Sequence, residues 1–265
     1  MADEIQELSI VRFTERDKNR MEDLVVRERP LTIMLNNREL VTLLCWPTEQ
    51  RFLAAGFLYS EGLIRSKDEI SKIMVDEKRG VVRVETEGDN ESADDLVFKR
   101  FITSGCGRGA SFYSSADVGS AARVESQTRL SAQKVLALMK AFHRRSKVYR
   151  MTGGVHSAAL CDTKDILLFA EDIGRHNAID KIFGRCLLED FPTAERIIVT
   201  SGRISSEILL KVAKRTIPII ISKSAPTDLG VKLADEFGIT VIGYVRGKRM
   251  NVYTHEWRVV IEENK

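Results

Sequence analysis

Cys106 lies in the segment Thr103-Ser104-Gly105-Cys106-Gly107-Arg108-Gly109-Ala110. Glycines on both sides let another molecule come close to its sulfur. Arg108, two residues on, favours the thiolate, which is the form that reacts. This loop cysteine is therefore either a nucleophile or an idle, partly buried thiol. Cys45, Cys161 and Cys186 sit inside apolar stripes or strands and read as core residues, because a free cysteine packs like a small hydrophobe. The four cysteines form no CxxC pair, so neither a zinc ribbon nor a disulfide framework is signalled.

Four further polar segments could do chemistry. In Thr152-Gly153-Gly154-Val155-His156-Ser157-Ala158-Ala159, a glycine pair permits a sharp turn before a strand. His156 there can act as acid, base, orienting group or plain structural hydrogen-bonder. Seven of the eleven residues in Glu171-Asp172-Ile173-Gly174-Arg175-His176-Asn177-Ala178-Ile179-Asp180-Lys181 carry side chains able to hydrogen-bond. Glu171 and Asp172 suit the N-terminus of the helix that follows. Capping does not account for Arg175, His176 and Asn177, so a site is expected here. Thr200-Ser201-Gly202-Arg203-Ile204-Ser205-Ser206-Glu207 is a hydroxyl-rich turn leading into a helix. It is either an anion site helped by Arg203 or a bare capping turn. Tyr244-Val245-Arg246-Gly247-Lys248-Arg249 places three cations in four residues directly after a strand. It reads as a grip for a phosphate-rich ligand or as a solvated basic turn.

The elements that must position these segments follow from the apolar pattern. A hairpin is expected from Leu31–Leu35 and Glu39–Leu44 through Asn36-Asn37-Arg38. A helix follows over Thr48–Ser60, with Thr48 as N-cap and Gly62 as stop. A second hairpin spans Ile70–Val75 and Gly80–Glu85. The acidic stretch from Glu87 to Asp95 reads as a solvated loop. Ser131 caps a helix over Ser131–Arg145, in which Val135, Leu138, Met139 and Phe142 share one face. Strands and helices then alternate: strands at Ala158–Cys161, Ile166–Ala170, Arg196–Thr200, Ile217–Ile221 and Ile239–Tyr244, and helices around Ile179–Leu187, Ser205–Arg215 and Thr227–Phe237. Continuous apolar strands imply a sheet covered on both faces, so the fold class is α/β. The expected division is a small α+β domain over residues 1–115, ending in the Cys106 loop, and a larger α/β domain over 116–265.

Composition limits the function classes. Of the 265 residues, 43% are hydrophobic and 30% charged, ordinary values for a globular protein. A net charge of +3 supplies no general attraction for nucleic acid. The N-terminus has no secretory pattern and no apolar run is long enough to span a bilayer, so neither nucleic acid nor membrane is an expected partner and the expected location is cytoplasmic.

Thr-Gly-Gly-x-His, Glu-Asp-Ile-Gly-Arg-His-Asn-Ala and Thr-Ser-Gly-Arg-x-Ser-Ser-Glu occur here together and in this order. In this the chain resembles the formate dehydrogenase accessory sulfurtransferases, the FdhD family, from the hairpin near Leu31 to Tyr253-Thr254-His255. The resemblance implies a larger domain similar to cytidine deaminase. It implies a cytoplasmic sulfur carrier that takes sulfur from a cysteine desulfurase as a persulfide on Cys106. It further implies transfer to the bis-molybdopterin guanine dinucleotide form of the molybdenum cofactor, bound as acceptor through Tyr244, Val245, Arg246, Gly247, Lys248 and Arg249, before the cofactor enters formate dehydrogenase; Arg203 and the helix behind it are expected to hold a further phosphate of that ligand. His156, Glu171, Arg175 and His176 are the other candidate site residues. Many members of the family carry a second cysteine where this chain has Gly109, so Cys106 would have to accept and release sulfur alone. Two other readings stand beside this one. A non-catalytic cofactor-binding chaperone needs no reactive thiol. A nucleoside deaminase needs His-x-Glu and Pro-Cys-x-x-Cys, and the chain has His156-Ser157-Ala158 and Ser201-Gly202-Arg203-Ile204-Ser205 instead, so no zinc is expected. A homodimer is the expected assembly.

Overall fold

The computed structural model describes residues 4–87, 101–102, 110–111 and 122–261. The chain opens with an antiparallel ribbon, β1 (Ile5–Phe13) and β2 (Lys18–Val26), that pairs with no other strand among the described residues. The sequence reading did not anticipate it.

The first sheet has four strands, β3 (Arg29–Leu35), β4 (Arg38–Cys45), β5 (Ile70–Asp76) and β6 (Val81–Thr86), in the order β4-β3-β6-β5. Both expected hairpins are present. Asn36 and Asn37 take φ of 48° and 63°, the left-handed conformation that asparagine tolerates in a tight turn. Helix α1 (Gln50–Glu61) covers this sheet, with Leu53, Phe57 and Leu58 in its core. Gly62 ends the helix at φ 78°, as expected. Thr48 does not cap it: Glu49 holds the N-cap position without a side-chain hydrogen bond, and the Thr48 hydroxyl accepts from Lys181 Nζ at 3.4 Å.

Two short strands, β7 (Phe101–Ile102) and β8 (Ala110–Ser111), pair antiparallel. Cys106 falls between them in sequence and lies outside the described residues. So does the acidic stretch from residue 88 onward.

The second sheet is built from β10 (His156–Cys161), β11 (Ile166–Asp172), β12 (Ile197–Thr200), β13 (Ile219–Ser222), β14 (Thr240–Arg246) and β15 (Arg249–Val252). Its order is β11-β10-β12-β13-β14-β15. The pairs β12–β13 and β13–β14 are parallel, and the other three are antiparallel. Helices cover both faces, as the apolar runs required. On one face lies α2 (Ala132–Arg145), capped by Ser131 Oγ on Lys134 N at 3.2 Å. On the other lie α4 (Arg175–Leu188), α5 (Ser206–Ala213) and α6 (Asp228–Glu236). A short helix α3 (Lys147–Thr152) precedes β10. The parallel bridge of β9 (Leu130–Ser131) to β16 (Val259–Val260) ties down the C-terminal segment. The fold is thus mixed α/β with several sheets and six α-helices among the described residues. Among those residues no helix is long and apolar enough to cross a membrane.

The two sheets are joined where α1 crosses α4. A Cβ on Gly56 would lie 1.7 Å from the Asp180 carbonyl oxygen, and one on Gly184 would lie 1.9 Å from that of Phe52. Only glycine permits this approach. Buried polar contacts reinforce the crossing. Lys211 Nζ from α5 lies 2.7 Å from Asp180 Oδ2 and 3.4 Å from Glu61 Oε1. Ser60 Oγ donates to Asp180 Oδ1 at 2.6 Å.

Candidate functional site

Strand polarity decides where the polar segments meet. The parallel strands β12, β13 and β14 end at one rim of the sheet. Strand β10 runs against β12, so its first residue, His156, lies at that same rim, and His156 pairs with Asp172 at the end of β11. The Thr-Gly-Gly-x-His, Glu-Asp-Ile-Gly-Arg-His, Ser-Gly-Arg and basic-turn segments, far apart in sequence, therefore gather along one edge. Ligands in α/β sheets collect at such carboxyl ends.

Hydrogen bonds lace the rim together. Ser157 N donates to Ser201 Oγ at 3.0 Å, and His156 Nδ1 lies 3.2 Å from that hydroxyl. Ser222 Oγ donates to Gly202 O at 2.6 Å. Lys223 N donates to Thr200 O at 3.2 Å, and Arg246 Nε to Lys223 O at 3.0 Å. Gly202 lies against the Arg175 side chain; a Cβ there would come within 2.8 Å of Arg175 Cβ. From the first turns of α4 and α5, His176 Nε2 and Glu207 Oε2 approach to 2.9 Å.

Two groups at the rim have their pKa values lowered, for different reasons. Burial, then the nearby Arg175 and His176, pulls the His156 pKa below 6.5. The hydrogen bond from His176 holds the Glu207 carboxyl below 4.5 against the opposing effect of burial. His156 is thus favoured as a neutral imidazole beside a hydroxyl, and Glu207 as a carboxylate. Such a pairing can orient or exchange a proton.

The eleven-residue acidic and basic motif divides into two parts. Arg175 and His176 face the rim loops. Glu171, Asp172, Asn177 and Lys181 form a buried brace behind them. Asp172 Oδ2 accepts from Lys181 Nζ at 2.7 Å and from Trp46 N at 3.2 Å. Its Oδ1 accepts from Gly174 N at 3.0 Å and Asn177 Nδ2 at 2.9 Å. Glu171 does serve a helix N-terminus, but that of α3: its carboxylate accepts from Val148 N at 3.2 Å and Tyr149 N at 3.1 Å. Burial raises the Glu171 pKa, and these bonds oppose the rise.

The basic turn joins β14 to β15. A bulge between Gly243 and Arg246, with Tyr244 at φ 51°, turns Tyr244 outward and Val245 into the core. A bulge re-aims side chains in this way. Gly247 sits at φ 60°, and Arg246, Lys248 and Arg249 are exposed. Arg203 is exposed on the same rim. Sequence reasoning missed Lys223, which follows β13, the strand between β12 and β14, and whose ammonium lies 5.4 Å from the Tyr149 ring centre. Its signal was Ser222-Lys223-Ser224 directly after an apolar strand, the same pattern as the recognised segments.

Cys45, Cys161 and Cys186 are buried, and burial pushes each thiol up to about 12. None of them supplies a thiolate near neutral pH. Among the described residues no group of three or more His, Cys, Asp or Glu side chains could hold a metal ion.

A family model described as the FdhD/NarQ family matches residues 26–260. The chain belongs to the FdhD/NarQ family. The FdhD proteins similar to it include one named sulfur carrier protein FdhD from Bacillus subtilis, 47% identical over 248 residues, or 94% of this chain and 95% of that protein. Another of the same name, from Bacillus pumilus, is 46% identical over 237 residues, or 89% of this chain and 90% of that protein. A solved structure from Desulfotalea psychrophila, described as a formate dehydrogenase accessory protein, superposes with a TM-score of 0.82 at 26% identity. That match covers 97% of this chain and 99% of the other.

Proposed function

We propose that this chain is a sulfur carrier that serves formate dehydrogenase through a persulfide on Cys106. The observation that carries the reading is the convergence of Arg203, Lys223, Arg246, Lys248 and Arg249 on one sheet rim in a member of the FdhD/NarQ family. A cationic rim suits a ligand bearing several phosphates. The guanine dinucleotide form of the molybdenum cofactor, the acceptor substrate in this reading, is such a ligand.

The chemistry assigned to Cys106 is a thiolate attack on the outer sulfur of a cysteine desulfurase persulfide. A new S–S bond forms at Cys106 Sγ, the donor S–S bond breaks, and the donor cysteine leaves as thiolate. The acceptor would then supply the electron pair that takes the outer sulfur, the Cys106 S–S bond would break, and Cys106 would leave as thiolate. Arg203 and the basic turn hold phosphates, while His156, with Ser201, and the His176–Glu207 pair sit close enough to the rim to handle protons.

We also infer that the six-stranded unit is cytidine deaminase-like and that the chain divides into units 1–115 and 116–265, working in the cytoplasm. An antiparallel hairpin, β10–β11, followed by parallel β12-β13-β14 with helices on both faces supports the first inference.

The test incubates the protein with a cysteine desulfurase and cysteine, then reads peptide masses. A one-sulfur gain on the Cys106 peptide is expected, and Cys106→Ser should fail to restore active formate dehydrogenase in cells lacking the native carrier. Full rescue by Cys106→Ser would favour the cofactor-binding chaperone instead.

A further inference from the structure

A backbone amide and an imidazole nitrogen converge on one hydroxyl at the rim. Ser201 Oγ accepts from Ser157 N at 3.0 Å and lies 3.2 Å from His156 Nδ1. The serine is itself held, because Ser201 N donates to Ser157 O at 3.1 Å. A hydroxyl has one proton to give and two lone pairs to offer. The Ser157 amide occupies one lone pair. Among the described residues the other partner of this hydroxyl is Nδ1. If Nδ1 carried a proton, the ring would donate into the second lone pair and the hydroxyl proton would have no partner there. If Nδ1 is bare, the hydroxyl donates to it and every group is satisfied. The ring proton then sits on Nε2, because the bond made at one nitrogen sets the state of the other.

Strand alternation places the ring. Successive side chains of a strand point to opposite faces. Ser157 Oγ turns to Ser146 and Glu171. His156 takes the other side, where Ala158 and Leu160 pack with α4 and α5. Arg175 and His176 act on it from the start of α4, and Arg203 from the turn after β12. Asp172, its partner at the end of β11, already accepts from Lys181, and Glu207 at the start of α5 already pairs with His176. Burial and these basic neighbours disfavour a charged ring and hold its pKa below 6.5. The ring is half-buried, and its Nε2 has no hydrogen-bond partner among the described residues.

We propose that His156 is a neutral hydrogen-bond donor, through Nε2–H, to a phosphate oxygen of the ligand that occupies the rim, and that Ser201 is the positioning residue that fixes this tautomer. The proposal rests on the reading that the rim takes a phosphate-bearing ligand. In this role the ring presents a proton and keeps it. A fixed N–H supplies direction where Arg203, Lys223 and the basic turn supply charge. Being neutral, it adds no repulsion to the basic groups beside it.

The test uses the full chain, isotope-labelled on nitrogen, at about pH 8, where the ring is neutral, with inorganic pyrophosphate as the probe. Magnetic-resonance spectra of the imidazole nitrogens separate the two neutral tautomers. The chain has four histidines, and the signal lost in His156→Gln assigns this one. A pyrrole-like Nε2 and a pyridine-like Nδ1 are expected, with the Nε2–H signal moving as pyrophosphate is added. Ser201→Ala should admit the Nδ1–H tautomer, a change that loss of a purely structural contact would not produce. Calorimetry gives the second readout. A glutamine amide N–H can stand where Nε2–H stood, and the shorter asparagine cannot reach that place. His156→Gln should therefore bind pyrophosphate within about threefold of the unaltered chain, and His156→Asn and His156→Ala about tenfold more weakly. An Nδ1–H tautomer or an imidazolium in the unaltered chain would overturn the proposal, as would His156→Gln binding as weakly as His156→Ala. Equal binding by His156→Ala and the unaltered chain would overturn it while leaving the phosphate reading of the rim standing. Absence of pyrophosphate binding by the unaltered chain would overturn both. None of these readouts involves Cys106.

Discussion

Lys181 Nζ lies 2.7 Å from Asp172 Oδ2, and neither side chain meets solvent. The same ammonium donates to the backbone oxygens of Glu171 and Trp46, at 3.0 and 3.3 Å. This pair pins the end of β4 to the start of α4, which carries Arg175 and His176 to the rim. Removing one partner strands the other charge away from water. Lys181→Met should destabilise the protein by about 3–5 kcal/mol, as should Asp172→Leu. Replacing both together should cost less than the sum of the two, which urea unfolding of the three variants would measure.

The helix crossing gives a sharper stability test. Gly56→Ala puts a methyl group where a carbonyl oxygen already lies, so α1 and α4 must separate. A loss of about 3 kcal/mol or more is expected, against under about 1 kcal/mol for Ala at an exposed helical site. The midpoint of thermal unfolding reads the difference.

Stability should fall with acidity in two steps. His156 has its pKa lowered in the fold, so the unfolded chain takes up its proton first. Its contribution is whole above pH 6.5 and is lost as pH falls from there towards the folded value. Glu207 is likewise lowered, so its contribution is present above pH 4.5 and lost below it. His156→Gln should flatten the first step and Glu207→Gln the second, in denaturant titrations repeated between about pH 3 and pH 8.

Nucleotide binding tests the basic turn. Lys248 and Arg249 are exposed. Lys248→Ala and Arg249→Ala should each weaken guanosine diphosphate binding by about tenfold in calorimetry, with unchanged thermal stability. Arg246→Ala should do both kinds of damage, because Arg246 also holds the Lys223 carbonyl.

The sequence displayed the second sheet well because Ile197–Thr200, Ile219–Ser222 and Thr240–Ile242 are buried on both faces, and such strands appear as unbroken apolar runs. Ribbon β1–β2 was missed for the opposite reason. Its strands are solvated and strewn with charge, and no continuous stripe announces them. The polar motifs were legible as residues but not as partners. Nothing local tells that Glu171 bonds α3 rather than α4, since that depends on β10 and β11 placing Ser157 and Glu171 side by side. Likewise, Thr48 looks like a cap until Lys181, far along the chain, claims its hydroxyl.

Where Gly56 meets Asp180 and Gly184 meets Phe52, main chain touches main chain with no cushion of side-chain atoms. Such a joint has no slack: it can neither slide nor rock without breaking contact along its whole length. The two sheets are thereby locked into a rigid quay, and any travel needed to exchange cargo must come from segments moored to it or from the vessels that berth there.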